Sequence, residues 1–217
     1  MRKTQVGLSS FVKSAASALV VAGTLFFMGA TAQADDASAL AFVQKEQAEV
    51  EQLLRAKAGD AATNGVVDKF VDYQEFAQRS LGQPCPPAIA GCTNQWAKLT
   101  PAQQTEITTK LRLVLQKSYR KTISKTLDYS VTYKAMKPSP FGDSRIRSLA
   151  QSKLSPRDPQ IQVDYLVRAS GDPKVVDMIA EGASITKNYY DSLNKKLNAE
   201  GYAGAIKMLD EKINKKE

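Results

Sequence analysis

The chain of 217 residues contains no histidine, and that absence excludes more chemistry than any single residue admits. It removes Ser-His-Asp and Cys-His nucleophilic catalysis, zinc held by imidazole, and the usual neutral-pH proton shuttle. There is no Gly-rich phosphate loop and no cluster of metal ligands. Carboxylate-only chemistry such as glycoside hydrolysis stays formally open, but the acidic residues are scattered over polar helix faces and no pair stands out. A secreted hydrolase of that kind is the weakest reading. The residues call for no enzyme, no cofactor and no metal.

Cysteine is almost as scarce. Cys85 and Cys92 are the only two, with six residues between them, in the run QPCPPAIAGCTNQ. In an oxidising compartment, such a pair in a Pro/Gly-rich loop is expected to form a disulfide. A ring that short stabilises the fold by at most about 2–3 kcal/mol. The tight C-x-x-C spacing and the helix N-terminus that favour a redox centre are both missing, so the pair reads as a structural staple.

Long apolar runs are confined to the N-terminus. Arg2, Lys3 and Lys13 supply positive charge, an apolar stretch runs from about Ala15 to Ala30, and Ala32-Gln33-Ala34 places small side chains where a signal peptidase reads. The stretch is shorter than the ~20 residues of a membrane-spanning helix, and no Cys stands nearby for lipid attachment. Residues 1–34 are therefore expected to be a signal peptide cleaved after Ala34. Residues 35–217 then form one domain, a monomer at work in a periplasm-like compartment. With Arg2, Lys3 and Lys13 set aside, 27 basic residues face 22 acidic ones, spread along the chain. A nucleic-acid protein would show a basic stripe with interleaved aromatics; mild attraction to anionic lipid or acidic partners fits better.

Ser38 to Lys57 reads as an amphipathic helix, with Leu40, Val43, Val50, Leu53 and Leu54 at helical spacing. A second helical segment runs from about Val66 to Ser80. Thr100-Pro101-Ala102-Gln103 combines an N-cap hydroxyl, Pro at the first helical position and a capping-box Gln, and opens a long helix reaching about Ser124. The period then changes to two. Tyr129, Val131 and Tyr133 alternate with polar residues; Arg145 to Leu154, then Ile161, Val163, Tyr165 and Val167, then Val175 to Ile179 make three further strands. Helical patterning returns at Thr186–Asn198, pauses at Gly201 and continues to about Ile213. Helices, four consecutive strands and helices again predict an α+β fold: a twisted four-stranded antiparallel sheet packed against several helices.

A resemblance adds to this pattern. VDYQEFAQRSLG at 71–82, Trp96 followed by LTPAQQ at 99–104, Leu115 to Tyr119, VDY at 163–165, Val176-Asp177, EGASI at 181–185 and GYAGAI at 201–206 together resemble, in order and spacing, the MlaC or toluene-tolerance family. The resemblance implies a periplasmic phospholipid carrier that shuttles glycerophospholipid between an outer-membrane lipoprotein–porin complex and an inner-membrane ABC transporter with an MCE-domain subunit. That is the machinery of outer-membrane lipid asymmetry. It also implies an apolar pocket between sheet and helices, with the head group near solvent. Three features depart from the family pattern: Gln83 to Gln95 form an insertion carrying the cysteines, Pro173 replaces a frequent Trp, and Tyr190 stands where Arg often follows the Tyr.

On this reading the pocket wall is expected from Phe76, Trp96, Leu111, Leu115, Tyr119, Val131, Val163, Tyr165, Val167, Met178, Ile185 and Tyr189. Val163, Tyr165 and Val167 share one strand face by alternation. Asp72 and Asp177 read as caps or hydrogen-bond anchors. A periplasmic adaptor or chaperone that binds protein in an apolar groove is the alternative of a different class.

Overall fold

The computed structural model describes residues 30–86, 89–123, 127–168 and 171–215. Helices α1 (Ala30–Arg55), α2 (Asp60–Phe70) and α3 (Tyr73–Arg79) lead into a 3₁₀ turn at Trp96–Lys98 and the long helix α4 (Pro101–Ile123). Strands β1 (Tyr129–Met136), β2 (Ser144–Ser152), β3 (Ile161–Val167), β4 (Val175–Ala180) and β5 (Ala183–Ser184) follow, and α5 (Ile185–Asn214) closes the chain. The sheet is an antiparallel meander in chain order, so the α+β expectation holds with one correction: it has five strands, not four. β5 pairs only Ile179 with Ser184 and Ala180 with Ala183, and a two-residue strand carries no period to read. Residues 1–29, which bear most of the expected signal peptide, lie outside the described residues. Among the described residues, no helix is long and apolar enough to cross a membrane.

Local chemistry accounts for the helix ends. At α4, Gln103 N donates to Thr100 Oγ1 at 3.3 Å and Thr100 N donates to Gln103 Oε1 at 2.9 Å, a reciprocal capping box. At α3, Asp72 Oδ1 accepts from Glu75 N at 2.9 Å. The single helix expected over Val66–Ser80 is broken at Val71-Asp72, where Val71 bridges to Val175 and Asp72 N donates to Val175 O at 2.9 Å. A bond to a strand a hundred residues away has replaced a helical one.

Among the described residues, two large apolar cores result, beside a small cluster of Val50 and Val66 with Leu53, Leu54 and Tyr119. In one, Ala39 and Val43 of α1 and Val67 and Phe70 of α2 pack on Ile146, Tyr165, Val167 and Val175 of the sheet. In the other, Ala77, Leu81 and Trp96 pack with Ile107, Leu111 and Val114 of α4 and Leu193, Ala205 and Leu209 of α5. A buried ion pair ties the second to the sheet: Arg79 Nη1 donates to Asp143 Oδ2 at 2.7 Å and Nη2 to Oδ1 at 3.0 Å. The register sets the faces. Ala135, Ile146, Tyr165 and Met178 form one cross-strand row, and Tyr133, Ser148, Val163 and Ala180 the next, both towards the helices. Arg147, Asp164 and Ile179 lie on the far face.

Candidate ligand cavity

Between the two cores the packing leaves a partly open cavity of about 340 Å³, near the lower end of the roughly 300–1,000 Å³ usual for ligand pockets. Every layer contributes: Val67 and Val71 at the end of α2, Phe76 of α3, Leu115, Ser118 and Tyr119 of α4, Val163 and Tyr165 of β3, Val175, Met178 and Ala180 of β4, and Ile185 and Tyr189 of α5. Burial gives the cavity a direction. Val67, Val71, Phe76 and Val175 are buried, whereas Val163, Met178, Ala180, Ile185 and Tyr189 are half-exposed. The closed end lies under Val71 and the mouth between β3, β4 and the start of α5.

No lining side chain carries a formal charge. The polar atoms are the Ser118 hydroxyl and three phenols, and burial pushes the phenols of Tyr119, Tyr165 and Tyr189 above their ordinary range, so they stay neutral. Gln47 of α1 satisfies two of them: its Nε2 donates to Tyr165 Oη at 3.3 Å, and Tyr119 Oη donates to its Oε1 at 3.4 Å. Tyr189 meets Phe76 edge to face at 6.0 Å, and Lys212 Nζ stands 5.7 Å from its ring centre. Such a site offers mainly apolar surface, with the Ser118 hydroxyl and the three phenols as its polar groups. The start of α5, which carries Ile185 and Tyr189, is held by Asp177. That carboxylate accepts from Met178 N at 2.8 Å, Ser184 Oγ at 2.6 Å and Thr186 N at 2.9 Å. Burial raises its pKa above 3.8 against the pull of those bonds.

The sequence pattern of the MlaC protein family matches residues 37–211, most of the chain. The chain belongs to this family. Among solved structures, a phospholipid-binding protein from Ralstonia solanacearum, in complex with a phospholipid, shares the fold with a TM-score of 0.64 and 20% sequence identity. The match covers 81% of this chain and 96% of that one. No curated protein matches the chain.

Within this MlaC-family fold, the twelve residues expected at the wall divide. Phe76, Leu115, Tyr119, Val163, Tyr165, Met178, Ile185 and Tyr189 meet around the cavity. Trp96 and Leu111 pack in the helical core and Val167 in the sheet core; Val131 is half-buried on β1, two residues before Tyr133. A buried side chain at the right period faces a core, and period alone does not say which. The cavity also takes Val67, Val71, Ser118, Val175 and Ala180, which the sequence reading left out. Helical spacing from Leu115 reaches Ser118, and alternation from Met178 reaches Ala180, so these two were accessible to pattern. Val71 and Val175 needed the bridge between them.

Asp72 and Asp177 are hydrogen-bond anchors, as expected. Cys85 and Cys92 are disulfide-bonded, Cα atoms 5.8 Å apart. Two of the departures from the MlaC pattern meet in space. Tyr190, buried on α5, accepts at Oη from Thr93 N of the insertion at 2.9 Å, and Gln95 Nε2 donates to Asn194 Oδ1 at 2.6 Å. Gly82 is required beneath this contact: its φ is +80°, and a Cβ there would lie 2.6 Å from Thr93 O. Tyr190 thus joins α5 to the segment that follows the disulfide.

Proposed function

We propose that this chain is a periplasmic phospholipid carrier that sequesters acyl chains and performs no covalent chemistry. The observation that carries the reading is the uncharged cavity at the seam of an MlaC-family fold. Each methylene removed from water contributes about 0.8 kcal/mol, so apolar volume alone supplies affinity. A charged head group would lose its hydration inside such a cavity without a partner, which assigns it to the mouth, beside Tyr189 and Lys212. The phospholipid held by the R. solanacearum neighbour supports the choice of cargo. An adaptor for polypeptide needs a groove open along its length, and the closed end under Val71 favours a small apolar cargo instead. On this reading the export signal delivers the protein between two membranes, where it exchanges lipid with an MCE-type ABC transporter on one side and a lipoprotein–porin complex on the other. Native mass spectrometry and lipid extraction of the purified protein test the cargo. Co-purifying glycerophospholipid is expected. A protein that emerges lipid-free and takes up none from vesicles overturns the reading.

A further inference from the structure

The wall of the cavity does not stop at its mouth. Along β3 the residue two places before Val163 is Ile161, about 7 Å further out on the same face, given roughly 3.3 Å of rise per strand residue. Ile161 pairs with Ala150 of β2, and Ala150 with Val131 of β1, so this row lies next to the Tyr133–Ser148–Val163–Ala180 row, of which Val163 and Ala180 line the cavity. β4 has already ended: Glu181 N donates to Gln162 O at 3.1 Å and closes the ladder. The row is therefore open on the mouth side. Every member is apolar. Val131 and Ala150 are half-buried, and Ile161 is 42% exposed. At the tip of the same hairpin, Leu154 is 80% exposed. A solvated strand end is normally polar, and an apolar row that leads out of an apolar cavity needs a different explanation from isolated surface hydrophobics.

The cavity's size supplies one. At about 340 Å³ it sits at the lower limit of pockets for small molecules, whereas a glycerophospholipid brings two long chains. We propose that Val131, Ala150 and Ile161 form an acyl-chain shelf, on which the part of a long-chain lipid that the cavity does not enclose lies against the sheet. This rests on the carrier reading and deepens it: the enclosed cavity holds any lipid of the class, and the shelf selects for chain length. The shelf also gives a chain a continuous apolar track between cavity and exterior. Continuity with the cavity favours lipid over polypeptide as its occupant.

The test uses the purified full chain exchanged with dioctanoyl- or dipalmitoyl-phosphatidylglycerol, with bound lipid measured by native mass spectrometry. Ile161→Asp places a charge on the shelf without touching a cavity-lining residue. Ile161→Thr keeps the β-branched side chain a strand favours, and guards against loss of fold, checked by the unfolding midpoint. Losing the partial burial of one aliphatic side chain converts to about tenfold in affinity. Retention of the dipalmitoyl lipid is expected to fall about tenfold in Ile161→Asp and less in Ile161→Thr, while dioctanoyl retention matches the wild type. Equal losses for both lipids, or no loss for either, overturn the shelf and leave the carrier reading standing. A shelf that captures a polypeptide while leaving chain-length preference untouched overturns it as well. A wild-type protein that accepts neither lipid overturns both.

Discussion

Asp164 lies on the far face of the sheet with no exposed surface, clasped from β2 by two arginines. Arg147 Nε donates to its Oδ1 and Arg145 Nε to its Oδ2, each at 2.8 Å. Burial alone would raise its pKa; hydrogen bonds from Arg147 and Arg145 outweigh that and hold it below the ordinary 3.8. A carboxyl depressed on folding stabilises the protein above its unfolded pKa of 3.8, and that contribution is lost as pH falls through the folded value. Asp177 has the opposite sign: raised by burial, its contribution is present below the unfolded pKa and lost as pH rises through the folded one. Asp164→Asn should therefore cost about 2 kcal/mol at pH 7, the lower range for breaking a buried pair whose arginines keep some water. Urea unfolding from neutral to acidic pH should show the gap to wild type closing below the carboxylate's unfolded pKa. A gap that stays constant would remove the carboxylate as its source. Residue-level reading reached Asp72 and the Thr100–Gln103 box because their partners lie three residues away. It could not reach Asp164–Arg147 or Arg79–Asp143, whose partners are fixed by register and by packing across the chain.

At the scale of elements, period identified nearly every helix and strand, and failed where a tertiary bond outbid local geometry. Val67, Phe70 and Phe76 keep a helical stripe across the α2–α3 break, so nothing in the pattern announces the strand-like bridge at Val71. Gly201 was legible, and the structure gives the reason: φ 67°, ψ −166° inside α5, a backbone region that only glycine occupies comfortably. The kink turns the second half of α5 onto α4, where Lys110 Nζ meets Asp210 Oδ1 at 2.5 Å and Lys117 Nζ donates to Ile213 O at 2.9 Å. A Cβ at position 201 would touch nothing within 4 Å, so the cost of adding one is purely conformational. Gly65 makes the contrast: it too has nothing within 4 Å, but it sits exposed in the body of α2 with ordinary helical geometry. Gly201→Ala should destabilise by about 1–3 kcal/mol, and Gly65→Ala should stabilise by roughly 0.5–1 kcal/mol. The same substitution with opposite signs in urea denaturation is the expected result; two shifts of one sign would mean that the kink is not strained towards glycine.

For the molecule as a whole, the informative feature is that the two large cores meet imperfectly. Alternation on β3 brought Val163 and Tyr165 to the cavity and helical spacing brought Leu115 and Tyr119, but neither says that Val167, on the same strand face, lies beyond the closed end. The distinction between lining a void and filling a core is a property of assembled layers, and it gives the sharpest test of the cavity. Leu115 borders empty space, so Leu115→Trp can place its added ring atoms there, fill the volume a chain would use, and leave the unfolding midpoint within about 0.5 kcal/mol of wild type. Val167 is wholly buried among Val43, Phe70 and Ile146, so Val167→Trp must displace packed neighbours at a cost of about 1–3 kcal/mol or more. Lipid occupancy by native mass spectrometry and stability by urea unfolding should then separate: Leu115→Trp loses lipid and keeps stability, whereas Val167→Trp loses stability and, where folded, keeps lipid. If Leu115→Trp destabilises as much as Val167→Trp, the space beside Leu115 is not there to be filled. If it stays stable and binds lipid at the wild-type level, the cargo is held somewhere other than the seam between the two cores.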